Sequence, residues 1–312
     1  MAASYFETPN NWKDIEDYVI SDTATIIREV IRSNKVLFYD TCSFRYHSNL
    51  PSTNQKQVIQ YFRQKKMTVI LTRIIVMELA SHSGNLDSCY VKYVEMLKTS
   101  GVTVVVFDEE MLYDILSVCF ATNEAVNSYL LWSVRSLKAP VSTITDTLNS
   151  NVNLKEQVIV GKKQKNSDIY KNFFREVRRN KTSGDNLGEE LLAICIHILS
   201  HLPGVKDGKL CVITDDKGGA GRINALLQSA NAQYKGSKVI IYSTPKIIQS
   251  MIHSGMNLSR QDLESLLPGD SIDYIRIIAT TEYDFDEAHF ISLPKHELVE
   301  KMLIPGSINI LF

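Results

Sequence analysis

Five short apolar runs recur along the chain, at residues 35–39, 67–71, 102–107, 209–214 and 238–242. They are rich in β-branched residues and continuously apolar rather than alternating, the pattern of strands buried on both faces of a sheet. Between them lie segments with helical spacing of apolar residues, at 88–99, 188–202, 223–232 and 246–253. Strand and helix in alternation predict an α/β fold of three α/β/α layers around a central, mainly parallel sheet. In such sheets ligands sit outside the carboxyl ends of the strands. The residues that follow each apolar run are therefore the first place to look for chemistry.

Two regions depart from the alternation. The first is an insertion at about 109–182, between the third and fourth strands. Its first half, 111–137, reads as helical. Its second half, 161–181, holds eight basic residues (Lys162, Lys163, Lys165, Lys171, Arg175, Arg178, Arg179, Lys181) against Asp168 and Glu176, a local +6. The second is the tail, 257–312, which carries ten acids between Asp262 and Glu300 against Arg276 and Lys295, a local -8. Ser259 followed by Asp262 makes a capping box, and Pro294 suits the first turn of a second short helix. The expected organisation is a helical lead-in at 1–34, a main domain at 35–256 interrupted by the insertion, and a small C-terminal extension at 257–312.

The 34 lysines and arginines nearly balance 35 aspartates and glutamates, for a net charge of -1. That excludes a uniformly basic coat protein and an acidic disordered chain, but the average conceals the two charged regions. No apolar run approaches the roughly 20 residues of a membrane span. Met1 to Lys13 lacks the apolar segment of a secretory signal. Five widely spaced cysteines without a metal-binding pattern read as reduced thiols in a cytoplasmic protein.

Acidic residues fall where the predicted sheet would gather them. Asp40 ends the first strand, Glu78 follows the second by about one helical turn, Glu189 and Glu190 open the helix at 188–202 with Asp185 just before it, and Asp215 and Asp216 end the fourth strand. Each has an ordinary explanation alone: an aspartate ends strands in turns, and a glutamate in a first helical turn favours the helix dipole. Together they point elsewhere. Clustered carboxylates at the edge of a dry core repel and cost free energy unless a cation compensates. Several of them make a hard-oxygen site suited to Mg²⁺ or Mn²⁺.

At these residues the sequence resembles the PIN-domain nucleases. Val36-Leu-Phe-Tyr-Asp40-Thr-Cys-Ser43, Val76-Met-Glu78-Leu79, Leu187-Gly188-Glu189 and Val212-Ile-Thr-Asp215-Asp216 look like the family's acidic motifs in order. Val239-Ile-Ile with Thr244, Ile247 and Ile248 looks like its closing segment. The resemblance covers about 36–250, with a longer insertion and an extra tail. It implies that Asp40, Glu78, Glu189 and Asp216 hold Mg²⁺ or Mn²⁺, with Asp215 an alternate catalytic acid and Asp185 or Glu190 competing with Glu189. It further implies phosphodiester hydrolysis, most naturally as an endoribonuclease. Many members of the family are toxins held by an inhibitory protein.

Other features are weighed against this. Lys217-Gly-Gly-Ala-Gly-Arg222 lacks phosphate-loop spacing and is expected to shape the turn into the next helix, leaving Lys217 and Arg222 free to touch substrate phosphate. Lys162, Lys163, Arg178 and Arg179 of the basic segment are expected to hold a nucleic-acid backbone as an arm. Thr41, Ser43 and Thr214 could hydrogen-bond the acids, and His82 would share a face with Glu78 if that helix continued. A phosphatase of the haloacid-dehalogenase type is disfavoured because Asp40-Thr41-Cys42 lacks its Asp-x-Asp. The competing reading is a non-catalytic RNA- or protein-binding module. The acidic tail could regulate the arm in cis, or mediate self-association.

Overall fold

Strand β1 (Lys35–Tyr39) runs through the middle of a five-stranded sheet in the computed structural model of the protein, which describes residues 5–135, 143–152, 155–156, 168–231, 236–269 and 274–312. β2 (Met67–Thr72) and β3 (Thr103–Phe107) lie on one side, and β4 (Leu210–Ile213) and β5 (Ile240–Tyr242) on the other. The order is β3-β2-β1-β4-β5 and every pairing is parallel. Val36 sits opposite Thr68 on one side and Leu210 on the other. The five apolar runs are thus the five strands, trimmed by one or two residues at some ends. β1, β2 and β4 are buried almost end to end, which is why their sequences do not alternate. The result is an α/β fold with a parallel central sheet and many helices, compatible with three α/β/α layers.

The strand order places the site. The chain steps outward from β1 through β2 to β3, then returns to the far side of β1 for β4 and β5. The direction of winding switches between β1 and β4, and a crevice opens there at the carboxyl ends. Asp40 leaves β1 at this point and caps the helix Thr41–Asn49, its side chain accepting from Thr41 N. A second helix, Ser52–Gln64, leads back to β2.

Some local expectations change. The helical stretch at 111–137 is two helices, Met111–Cys119 and Asn123–Arg135, because Phe120 is extended. The glycine-rich 217–222 is not a turn; it is the first part of the helix Lys217–Asn231. Asp216 starts that helix, its backbone oxygen accepting from Ala220 N at 2.8 Å and its Oδ1 from Gly218 N at 2.8 Å. Such capping offsets the low helix propensity of the glycines. The helix after β2, Arg73–Leu79, stops before His82, which is exposed and does not share Glu78's face.

The tail is a built layer of the molecule. The helix Arg260–Leu266 opens on the expected Ser259/Asp262 capping box. β6 (Tyr274–Thr281), β7 (Asp284–Pro294) and β8 (Ile308–Ile310) form an antiparallel sheet ordered β7-β6-β8, with the helix Lys295–Leu303 between β7 and β8. Ile275, Ile277, Ala279, Leu298, Val299, Ile308 and Ile310 join the same core as the parallel sheet. Gln249, on the helix Thr244–His253, clamps β8 by donating to Ile308 O at 2.8 Å and accepting from Ile310 N at 2.9 Å. Several tail acids have local partners: Asp262 in the capping box, Glu300 with Arg260 and Asp284 with His289. Among the described residues no helix is long and apolar enough to cross a membrane.

Candidate active site

A cleft of about 350 Å³ opens at the carboxyl ends of β1 and β4. Asp40, Glu78, Asp185, Glu189 and Asp216 line it, together with Thr41, Cys42, Arg45, Lys181 and Tyr5. Four acids expected to act together therefore meet, although they lie up to 176 positions apart in sequence.

Each carboxylate is oriented by a neighbour from another element. Asp40 Oδ2 accepts from Thr214 Oγ1 at 2.7 Å, which ties the end of β1 to the end of β4. Thr41 Oγ1 donates to Glu78 Oε2, tying the helix after β1 to the helix after β2. Glu189 Oε1 receives Arg222 Nη1 at 2.9 Å, and Asp216 Oδ1 is held at its own helix start. The hydroxyls at 41 and 214 thus bond the acids as the sequence suggested. Cys42 Sγ donates to Asp40 Oδ2 at 3.0 Å; burial first, and Asp40 second, push the thiol up to about 12, so it stays protonated.

The cleft is short of positive charge. Burial raises the Glu189 pKa, and Asp40 and Glu78 add to the rise against the pull of Arg222. Lys181 supplies part of what is missing. Its ammonium bonds Glu78 Oε1 at 2.9 Å and Asp185 Oδ1, and it lies over the Tyr5 ring at 5.6 Å. Burial lowers the Lys181 pKa but its two carboxylates outweigh that, so it is raised and the side chain is charged.

The other acids are committed elsewhere. Asp215 faces away from the cleft, accepting from Ser43 Oγ at 2.7 Å, Thr244 N at 2.7 Å and Thr244 Oγ1 at 2.7 Å. Through Thr244 it joins a buried chain of His47, Tyr39 and Tyr93 hydroxyls and ring nitrogens. Its place is structural, starting the helix Thr244–His253. Glu190 is buried and accepts from Thr143 N and Ile144 N at 3.1 Å, capping the helix Thr143–Ser150. Asp185 lines the cleft but is held by Lys181, Thr182 N and Leu187 N. Of the three candidates for the third acid, Glu189 is the one that faces Asp40's cleft without a backbone cap to satisfy.

The basic segment differs most from expectation. Lys162 and Lys163 lie outside the described residues. The helix Asp168–Arg179 is docked, with Phe173, Phe174 and Val177 in the core. Arg178 is 1% exposed and pairs with Glu7, Asp108, Glu109 and Glu110 at 2.8, 3.2, 2.6 and 3.4 Å. It cannot reach a phosphate; it neutralises the acids that follow β3. Arg179 is 65% exposed, faces Glu176 at 3.7 Å and does not line the cleft. Lys217 lies in a groove beside the cleft, and Arg222 is spent on Glu189.

Sequence reasoning missed Lys181, Arg45 and Tyr5 as cleft residues. The one usable signal was Lys181 four residues before Asp185, an i,i+4 pair just ahead of the acidic helix. Among the described residues, the only three metal-ligating side chains whose donor atoms all lie within 4.8 Å of one another are Asp284, Glu287 and His289 at the surface turn of β6 and β7. The cleft acids are spaced more widely, and Glu78 and Glu189 are bonded to Lys181 and Arg222. Comparison of the chain with family models, with curated proteins and with solved structures returns no match.

Proposed function

We propose that the protein is a PIN-like nuclease that hydrolyses phosphodiesters with Mg²⁺ or Mn²⁺, most naturally an endoribonuclease. The observation that carries this reading is the meeting of Asp40, Glu78, Glu189 and Asp216 in one cleft at the switch point of the sheet. The donor set fits: it is all hard oxygen, and Glu189 is raised by burial first and by its acidic neighbours second, so a cation would lower the free energy of the cleft. Asp40, Glu189 and Asp216 would hold the ion, with Glu78 beside them. When bound, the ion supplies Lewis acidity toward the phosphodiester and an activated water.

The chain's own residues do the rest. Thr214 and Thr41 hold the carboxylates of Asp40 and Glu78 before substrate arrives, which lowers the reorganisation required at the reacting centre. Lys181 and Arg45 stand at the same cleft and offer cations to the non-bridging phosphate oxygens. Glu78, bonded to Lys181 and Thr41, would ligate the ion through water or orient the attacking water.

One observation favours the second reading, a binding module that does not cleave: Lys181 and Arg222 already neutralise two of the four carboxylates. The test separates the two. Wild-type protein should cleave single-stranded RNA with Mn²⁺ and gain several degrees in Tm when Mn²⁺ is added. Asp40→Asn should lose cleavage by at least a thousandfold and lose the Mn²⁺ shift, with its circular dichroism unchanged. Equal RNA turnover by the variant sinks the assignment; neither cleavage nor an Mn²⁺ shift in the wild type supports the binding module.

A further inference from the structure

We propose that the groove between the C-terminal sheet and the β5 edge binds a single-stranded nucleic acid and leads it to the carboxylate cleft. Two hollows of about 640 and 540 Å³ share Lys217 and Phe312 and make one continuous groove. Four cations from four different segments line it: Lys217 at a helix start, Lys238 before β5, Lys246 on the helix Thr244–His253 and Arg276 on β6. None of the four makes an ion pair among the described residues. Burial lowers the pKa of Lys217 and Lys246, and for Lys217 the nearby Arg276 adds to it. Among the described residues the one lining carboxylate side chain, Asp215, is consumed by Ser43 and Thr244.

Aromatic faces complete the arrangement. Tyr274, Arg276 and Ile278 alternate onto the outer face of β6, and Phe290 on β7 stands opposite Ile278. Tyr274 is 65% exposed and Phe290 82% exposed. Large open rings on a sheet, facing a groove lined by cations, are what a single strand requires, with phosphates on the cations and bases stacked on the rings. A polyanion without bases would use the cations and leave the rings idle. An apolar protein partner would not call for four cations gathered in one groove. The groove and the cleft are neighbours, since Lys217 of the one directly follows Asp216 of the other at the start of the same helix. That the strand is led to be cut rests on the nuclease reading; that it binds in the groove does not.

The experiment uses the full chain carrying Asp40→Asn in EDTA, with a fluorescein-labelled oligouridylate 12-mer as probe and fluorescence anisotropy as readout. Tyr274→Ala with Phe290→Ala should weaken binding by about tenfold or more, the loss of stacking on two rings. Arg276→Ala should weaken it less and reduce the slope of log affinity against log salt by about one. Heparin, a polyanion without bases, should lose affinity with Arg276→Ala but not with the aromatic pair, which also shows that the aromatic variant is folded. Oligouridylate affinity insensitive to both variants, or equal loss of heparin and oligouridylate affinity with the aromatic pair, overturns the proposal. Hydrolysis of bis-p-nitrophenyl phosphate by the wild type with Mn²⁺ tests the cleft without the groove. Hydrolysis with groove-independent RNA binding removes only this inference; groove-dependent binding with no hydrolysis of either substrate removes only the nuclease reading.

Discussion

At the scale of single residues, the site depends on what is absent as much as on what is present. A Cβ at Gly188 would stand 2.8 Å from Glu78 Oε1, so the glycine is what lets that carboxylate lie against the start of the helix Leu187–Ser200. Gly188→Ala should therefore separate function from stability. Alanine favours the helix by about 0.8–1 kcal/mol over glycine, and the obstacle it meets is the end of a flexible side chain. Tm should stay level or rise, while RNA cleavage falls by more than tenfold as Glu78 is displaced. A fall in Tm with full activity would show that the contact matters to folding alone. In the sequence, Gly188 read only as part of a family-like motif, because a glycine's neighbour across the cleft, 110 positions away, leaves no local trace.

At the scale of elements, the helix Asp168–Arg179 shows how charge counting misleads. Of the eight lysines and arginines counted at 161–181, Lys181 is held in the cleft by Glu78 and Asp185, and Arg178 is internal. The end of β3 explains why. Asp108, Glu109 and Glu110 follow it in series, Glu109 is fully buried, and Arg178 is the cation that compensates them while locking the insertion to the sheet. Glu109 also caps the helix after β2, accepting from Ile74 N at 3.1 Å. Arg178→Met should cost about 3–5 kcal/mol, because it leaves a buried carboxylate without its partner. Adding Glu109→Gln should recover part of that loss. Urea unfolding of both variants measures it, and a cost below about 1 kcal/mol for Arg178→Met would mean that the pair is dispensable.

At the scale of the whole molecule, two buried histidines should weaken the fold as pH falls. Burial lowers His197 to about 3 and His47 to about 4. Neither ring nitrogen of His197 has a hydrogen-bond partner among the described residues, and the ring packs on Trp132 and His201. Both rings stay neutral in the fold, whereas the unfolded chain protonates them below about pH 6.5. The unfolded state then binds more protons, so stability falls as pH drops from about 6.5 toward 4, and the loss for His197 continues to about 3. Between pH 6.5 and 5 each histidine should cost about 1–2 kcal/mol. The raised pKa of Glu189 acts in the opposite sense and softens the slope. Urea unfolding at pH 6.5 and 5.0 should show His197→Phe losing roughly half of the difference; an unchanged slope would place the acid sensitivity elsewhere.

The sequence alone determined the parallel sheet and where its acidic residues would gather. Continuous β-branched runs cannot be covered on one face only, so β1 to β5 were legible, as were Asp40, Glu78, Glu189 and Asp216 at the places where such a sheet puts its sites. What the sequence left open was the direction of each side chain. Asp215 and Asp216 are adjacent, as are Glu189 and Glu190, and successive residues at a strand end or helix start point to different surroundings. Only packing sends Asp215 to Thr244 and Glu190 to a helix cap, while their neighbours line the cleft. The tertiary structure likewise decided the partners of the cations. Lys181 meets Glu78 and Arg178 meets Glu7 across 103 and 171 positions, and Coulomb attraction at a few ångströms depends on where the folded chain brings charges, not on their spacing in sequence.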